Sequence, residues 1–297
     1  MPALRRRDLL KSLPVALAPA LIAAKAPSAG ARFSVEVSGE GPDVLLIAGL
    51  AASRAVWRPA AGRVNAQGFR THLVQVSGFA GEPAGANASG PILAPLAEAL
   101  GDYVRGQDLR EAAVVGHGLG AVAGLMLAAR RPEQVSGLMA VEVLPWMGAL
   151  FFGPQATPVE IRPQADAIRD RALDRSARDY ARSAAELAPT LVRDEPAQAA
   201  LVEAAIRSDR AVVARAVHEL MLTDLRPELP AIGCPLHAVY GFDPLAHDPD
   251  SSALDRLYRD AYAGASNLTL SRIDGARHYP MLDQPAHFAA RLDAFLA

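Results

Sequence analysis

The sequence predicts an α/β fold with a mostly parallel sheet, helices on both faces and a helical segment inserted between two strands. Short continuous apolar runs such as Val44–Ile47 are typical of strands that are covered on both faces. These runs alternate with helical patterns, which favours a parallel, doubly wound sheet. The alternation breaks from Pro154 to about Glu228, where no strand pattern appears and apolar residues recur at helical spacing.

The individual elements follow from periodicity and from turn residues. The predicted strands are 33–37, 44–47, 72–76, 112–115, 135–143, 235–243 and 268–273. Helices are predicted around Trp57, over 91–104, after the glycines at 116–120, and over 285–296. We therefore expect a core of residues 32–153 and 229–297, with a helical cap (lid) of about four helices over residues 154–228.

The composition limits the possible functions. The chain has 297 residues, enough for one large domain or two small ones, and 51% of them are hydrophobic, which supports a sizeable core. A net charge of -2 gives no reason to expect nucleic acid as a partner. The single Cys234 excludes an intramolecular disulfide, and no residue spacing is typical of a metal site. We expect neither a metal nor a cofactor, and the sequence leaves the oligomeric state open.

The first residues have the pattern of an export signal. A basic stretch that contains Arg6 and Arg7 precedes an apolar stretch at 13–24, which is too short to span a bilayer comfortably. Small residues suited to signal-peptidase cleavage follow. Residues 1–31 resemble a twin-arginine-type signal segment, which implies a bacterial protein of the periplasm or the exterior, with no membrane span. The alternative is a disordered or amphipathic extension, and cell fractionation separates the two.

One stretch organises the functional interpretation. The apolar run Ala112–Val115 ends in Gly116, Gly118 and Gly120, and a helical pattern of small residues begins directly afterwards. The glycines have the frame G-x-S-x-G of a sharp strand-to-helix turn, with glycine at the middle position. In this frame the stretch resembles the nucleophile elbow of the α/β-hydrolase family, and the resemblance covers roughly residues 33–297. It implies the α/β-hydrolase fold with a helical cap, esterase-like or lipase-like, and a catalytic serine that this chain replaces with Gly118.

The resemblance also implies an acid and a base. In this family the nucleophile, the acid and the histidine follow one another along the chain, each at the carboxyl end of a strand. Gly118, Asp243 and His278 stand in that order, and residues 274–285 closely match the family's histidine loop. Glu142 is the alternative acid because it follows the strand that precedes the cap. Asp248 is a further residue that could reach the site.

The resemblance implies further site residues. The backbone N–H groups of Leu50 and Leu119 would form the oxyanion hole. The substrate pocket is expected to be apolar, although the same side chains could simply pack the cap against the core. The residues expected there are Trp57, Phe79, His117, Leu144, Trp146, Met147 and Phe151. Since no cationic cluster occurs among them, we expect a small, apolar and uncharged ester-like ligand.

The function implied by the resemblance is carboxylic-ester hydrolysis at a Ser-His-Asp type site. Without a hydroxyl at Gly118 we expect the protein to be inactive or very weak as a hydrolase, that is, a possible pseudoenzyme. One alternative is a non-catalytic protein that binds a small molecule on the same fold. Another is an active hydrolase with a displaced nucleophile such as Ser53 or Ser77.

Overall fold

The computed structural model describes residues 31–109, 112–245 and 251–297, which form a seven-stranded sheet flanked by helices. The strand order is β1-β3-β2-β4-β5-β6-β7; β1 is antiparallel to β3, and every other neighbouring pair is parallel. The strands are β1 (Phe33–Ser38), β2 (Asp43–Ile47), β3 (Arg70–Val76), β4 (Ala112–His117), β5 (Val135–Val141), β6 (Leu236–Phe242) and β7 (Leu268–Asp274).

The helices lie on both faces of this sheet and in a segment between β5 and β6. Those of the core are α1 (Arg58–Ala66), α2 (Leu93–Gly106), α3 (Leu119–Arg130), α9 (Ser251–Ala261), α10 (Pro280–Asp283) and α11 (Pro285–Leu296). Those between β5 and β6 are α4 (Gly148–Phe152), α5 (Pro158–Asp174), α6 (Ala177–Leu191), α7 (Glu195–Arg207) and α8 (Arg210–Leu222). The predicted α/β class, with a mostly parallel sheet, is confirmed.

Burial explains the central strands. All five residues of β2 are buried, and β4 and β5 are buried at all but one position each, as expected where helices cover both faces of a sheet. Helix α3 packs closely against β2 because Gly120 has no side chain. A Cβ atom there would lie only 2.5 Å from the carbonyl oxygen of Ile47.

Four of the helices between β5 and β6, α5 to α8, begin at side-chain caps. Thr157 and Glu160 form a capping box at the start of α5, and Ser176, Asp194 and Asp209 each accept backbone N–H groups at the starts of α6, α7 and α8. These helices occupy the residues predicted to form the cap, although the division of the chain at 153/154 and 228/229 stays an interpretation. Within the described ranges, no helix is both long enough and apolar enough to cross a bilayer.

The predicted export segment, with Arg6 and Arg7, lies outside the described residues except for Ala31. Its assignment therefore stays a prediction. Asp248, the further acid considered from the sequence, also falls outside the described residues.

Candidate active site

A sharp turn at the end of β4 forms the centre of the site. Strand β4 ends at His117, α3 begins at Leu119, and Gly118 between them has φ 50° and ψ −114°. A positive φ disfavours residues that carry a Cβ atom, so glycine relieves strain at this position. A Cβ built on Gly118 would lie 3.9 Å from Nε2 of His278, and among the described residues no other atom beyond its chain neighbours lies within 4 Å. The turn thus has room for a small side chain, and that side chain would meet the imidazole.

The imidazole of His278 lies between this turn and a carboxylate. Its Nδ1 is 3.2 Å from Oε2 of Glu142, within hydrogen-bond distance, while its Nε2 faces Gly118. A carboxylate on Nδ1 favours the tautomer and orientation in which Nε2 can accept a proton from a neighbouring group. The side chain of His278 is 37% exposed, because it lines the cavity described below.

Glu142 occupies a strained position directly after β5. Its φ of 54° is unusual for a residue other than glycine. The backbone N–H of Gly241 in β6 donates a hydrogen bond to Oε1, which leaves Oε2 for His278. Each carboxylate oxygen therefore has its own partner, and the strained backbone places the side chain between β6 and the histidine loop.

The structure pairs Asp243, the acid expected from the sequence, with Arg277 and not with His278. Asp243 is 1% exposed, and its Oδ2 accepts a hydrogen bond of 2.8 Å from Nε of Arg277. Its Oδ1 accepts from the backbone N–H of Leu245 at 3.1 Å. Burial raises the pKa of Asp243, but these two hydrogen bonds and the charge of Arg277 outweigh burial and lower it. Glu142, the alternative, contacts the histidine instead.

His117 supports the main chain of the histidine loop. Its ring is fully buried, and Nε2 lies 2.8 Å from the carbonyl oxygen of His278, so Nε2 carries the proton and donates it. Burial, together with the nearby His278, lowers the pKa of His117 to about 3, against the opposing effect of that hydrogen bond. The ring also lies 4.4 Å from that of Tyr279, centroid to centroid. His117 is therefore a neutral structural support beside the site.

A cavity of about 460 Å³ opens over Gly118 and His278. Most of its walls are aliphatic and come from the strand ends on one side and from α4 to α8 on the other. Five residues expected in the pocket or the oxyanion hole line it: Leu50, His117, Leu119, Leu144 and Met147. Leu119 is the first residue of α3, where backbone N–H groups have no partner inside the helix. The cavity therefore meets the turn at Gly118 where these N–H groups and the imidazole of His278 provide polar atoms.

Four of the expected pocket residues lie elsewhere: Trp57, Phe79, Trp146 and Phe151. Trp57 is fully buried, 5.9 Å from the ring of Phe288, in the layer of α1 and α11. Phe79 belongs to the core cluster beneath α2 and α3. The indole N–H of Trp146 donates to the carbonyl of Met221, whereas Phe151 is 66% exposed. Burial of large aromatic side chains in the core explains the first three positions.

The part of the cavity wall that the inserted helices supply was not predicted from the sequence. Helix α6 contributes residues at helical spacing: Tyr180, Ser183, Ala184, Leu187, Ala188 and Leu191. Its amphipathic period was visible in the sequence, but that period alone could not show which layer the apolar stripe faces. The wall also includes Arg169, Arg175 and Arg210, so it is not wholly apolar.

Comparison with known proteins identifies the family of the chain. The sequence model of the Alpha/beta hydrolase family matches residues 44–292. A pimeloyl-acyl-carrier-protein methyl ester esterase of Edwardsiella ictaluri is 28% identical over 254 residues, which cover 85% of this chain and 92% of that protein.

Two solved structures are similar to the chain along most of its length. An esterase from Exiguobacterium antarcticum superposes with a TM-score of 0.73 at 18% identity, covering 89% of this chain and 95% of that one. A serine-to-glycine variant of the N-acyl homoserine lactonase AidH, complexed with N-hexanoyl homoserine lactone, has a TM-score of 0.69 at 23% identity, covering 92% and 96%. These likenesses concern the fold. The family match over residues 44–292 shows that the chain belongs to the α/β-hydrolase family.

Proposed function

We propose that this chain is a carboxylic-ester hydrolase by lineage that binds an ester-like ligand and hydrolyses it very weakly or not at all, because Gly118 stands at the nucleophile position. One observation carries the proposal. The position of a Cβ on Gly118 faces Nε2 of His278 at 3.9 Å, with no other described residue beyond its chain neighbours within 4 Å, and Nδ1 of the same ring faces Glu142. The arrangement has the base and its acid but no hydroxyl.

The chemistry of such a site assigns a role to each remaining group. In an active serine hydrolase the hydroxyl attacks an acyl carbon, the histidine takes up its proton, and the acid stabilises the imidazolium. Here His278 would be the base, Glu142 would orient it, and the N–H groups of Leu50 and Leu119 would stabilise the oxyanion. Loss of the serine from a working site costs on the order of 10⁶ in kcat.

A displaced serine is a weaker explanation than a missing one. Ser53 Oγ accepts the backbone N–H of Ala55 at the start of a short helix, and Ser77 is buried beneath the loop after β3. Neither residue lines the cavity. A water molecule beside Gly118 would lie next to Nε2 of His278. Very weak hydrolysis could then proceed by attack of this water on the ester, with His278 as the general base.

The alternative function is non-catalytic binding of a small molecule in the same cavity. It is favoured by the apolar wall of a space of about 460 Å³, a volume typical of ligand pockets. The lactonase structure supports it by analogy of fold, since a serine-to-glycine variant of that protein holds N-hexanoyl homoserine lactone. In both functions an ester-like acyl compound is the ligand.

The test is to supply the missing hydroxyl. Gly118→Ser is expected to raise hydrolysis of p-nitrophenyl esters by about 10³-fold or more, because a serine contributes most of the catalysis above the oxyanion hole and binding. Gly118→Ala is the matched control and should gain no turnover. Both variants should lose roughly 1 kcal/mol of unfolding free energy, because a side chain enters a backbone conformation with positive φ.

The measurements are ester turnover over several acyl lengths and a thermal melt of all three proteins. A Gly118→Ser protein that folds yet stays as inert as Gly118→Ala would contradict the lineage claim and leave the binding function in its place. Turnover in the unchanged protein that equals that of Gly118→Ser would instead indicate a displaced nucleophile.

A further inference from the structure

The cavity extends along one face of α6, away from the reacting centre. The carboxyl-terminal end of this helix lies beside the histidine loop, because the carbonyl of Pro189 accepts a hydrogen bond from the guanidinium of Arg277. Tyr180 and Leu191 both line the cavity and are separated by three turns of α6. At 1.5 Å per residue, the cavity wall extends about 16 Å from the histidine loop to Tyr180.

Two arginines lie at the far end of this wall. Nη1 of Arg175 donates to Oγ of Ser183 at 3.4 Å, and Nη1 of Arg210 donates to the carbonyl of Arg175. Both side chains line the cavity. Arg210 also lines an adjoining cavity of about 450 Å³, together with Tyr180, so the wall continues into space beyond the arginines.

Charge balance distinguishes these two arginines from the third one in the wall. Arg169 is neutralised by Asp166 at 2.9 Å and Asp170 at 2.8 Å. Over the described ranges, neither Arg175 nor Arg210 has a carboxylate oxygen within 4.0 Å. The far end of an otherwise aliphatic wall thus carries two positive charges without an acidic partner.

The acidic side chain that lines the adjoining cavity, Asp209, already accepts hydrogen bonds from the main chain. Oδ1 of Asp209 accepts the backbone N–H groups of Ala211 and Val212 at 2.9 and 3.0 Å, as the cap of α8. A planar guanidinium presents several N–H donors in a fork that matches the oxygens of a carboxylate or a phosphate. An oxyanion entering between Arg175 and Arg210 would therefore find donors and net positive charge.

Resting on the proposed function, we propose that the ligand of this site is an amphiphile with an ester-like carbonyl at one end, an aliphatic chain, and an oxyanion at the remote end that Arg175 and Arg210 bind. The carbonyl lies over Gly118, the chain lies along α6, and the oxyanion lies about 12–16 Å from the histidine loop, between the levels of Ser183 and Tyr180 on α6. This narrows the ligand from any apolar ester to one with a charge at a fixed separation from its carbonyl.

The test compares two probes that differ only in the remote charge. Binding of monomethyl dodecanedioate and of dimethyl dodecanedioate to the unchanged protein is measured by calorimetry at low ionic strength. The monomethyl ester carries a carboxylate at the remote end and should bind about fivefold to tenfold more tightly. The difference should shrink as salt is added, because both arginines are partly exposed to solvent.

Variants assign the preference to the two arginines. Arg175→Gln with Arg210→Gln should remove the preference and leave the affinity for the dimethyl ester unchanged, which also shows that the variant is folded. Arg178→Gln is the matched control, since it removes one exposed positive charge on α6 that does not line the cavity. Monomethyl succinate, whose chain is too short to reach from the carbonyl position to the arginines, should show no effect of the double substitution.

The outcomes distinguish failure of the anionic-ligand proposal from failure of the proposed function. Equal affinity for the two dodecanedioate esters, or a preference that survives the double substitution, overturns the assignment of an anionic ligand and leaves the proposed function intact. If neither ester binds the unchanged protein, both proposals are overturned.

Discussion

Glu142 and Asp243 stand at equivalent places on neighbouring parallel strands and have different partners. Glu142 follows β5, and its carboxylate contacts the imidazole of His278 and the N–H of Gly241. Asp243 follows β6, and its carboxylate is buried against the guanidinium of Arg277. The histidine loop thus presents two consecutive side chains to two different acids.

The difference shows that position at a strand end does not by itself assign the acid of such a site. Glu142 has a backbone with φ 54° and a side chain one methylene longer than that of aspartate, and it reaches both its neighbour strand and the histidine. Asp243 holds the loop in place through the residue before the histidine. One carboxylate orients the ring, and the other fixes the main chain that carries it.

The largest effect should separate the two acids by activity. In a Gly118→Ser protein, Glu142→Gln is expected to lower kcat/KM by about 10²–10⁴, because an amide does not stabilise the imidazolium and favours the wrong tautomer. Asp243→Asn in the same background should lower kcat/KM far less. Ester turnover of the two double variants, with NMR of the His278 ring, measures the difference. A greater loss of kcat/KM with Asp243→Asn than with Glu142→Gln would mean that Asp243, after β6, is the acid.

The order of effects should reverse when stability is measured. Asp243→Asn leaves Arg277 without its carboxylate in a buried environment and should cost about 2–3 kcal/mol of unfolding free energy. Glu142→Gln should cost less, because the amide oxygen can still accept the N–H of Gly241. Urea denaturation of both single variants checks this prediction. Equal losses would mean that the two carboxylates contribute alike to holding the loop.

A smaller effect concerns His117, which fixes the carbonyl of His278. Since the pKa of His117 is lowered to about 3 in the folded protein, the unfolded chain, with a value of about 6.5, binds the proton more readily. Stability from the neutral ring is therefore fully present above about pH 6.5 and is lost as the pH falls towards 3. By about pH 5 the loss should be on the order of 2 kcal/mol.

His117→Gln should reduce this acid-dependent part of the unfolding free energy. The measurement is denaturant unfolding of both proteins at about pH 7.5 and about pH 5, comparing the change with pH rather than the absolute stability. An unchanged pH dependence in the variant would mean that His117 is not the buried neutral group.

The sequence was sufficient for the fold and for part of the site. The apolar runs predicted the sheet because parallel strands are buried on both faces, and the glycine frame located the turn at Gly118 because its backbone needs positive φ. The order of residues along the chain favoured Asp243 as the acid over Glu142. That order does not show which of the two carboxylates can reach His278 in space. The pocket residues were harder, because apolar side chains pack cores and line cavities alike, as Trp57 shows.

The central claim is that the site lacks only its nucleophile, and covalent labelling tests it most directly. A fluorophosphonate probe reacts with a serine only when that serine is activated by a base and faces an oxyanion hole. We expect the probe to label the Gly118→Ser protein at position 118, as located by mass spectrometry, and to leave the unchanged protein and Gly118→Ala unlabelled. Absence of label in a folded Gly118→Ser protein, or label on another serine of the unchanged protein, would contradict the account.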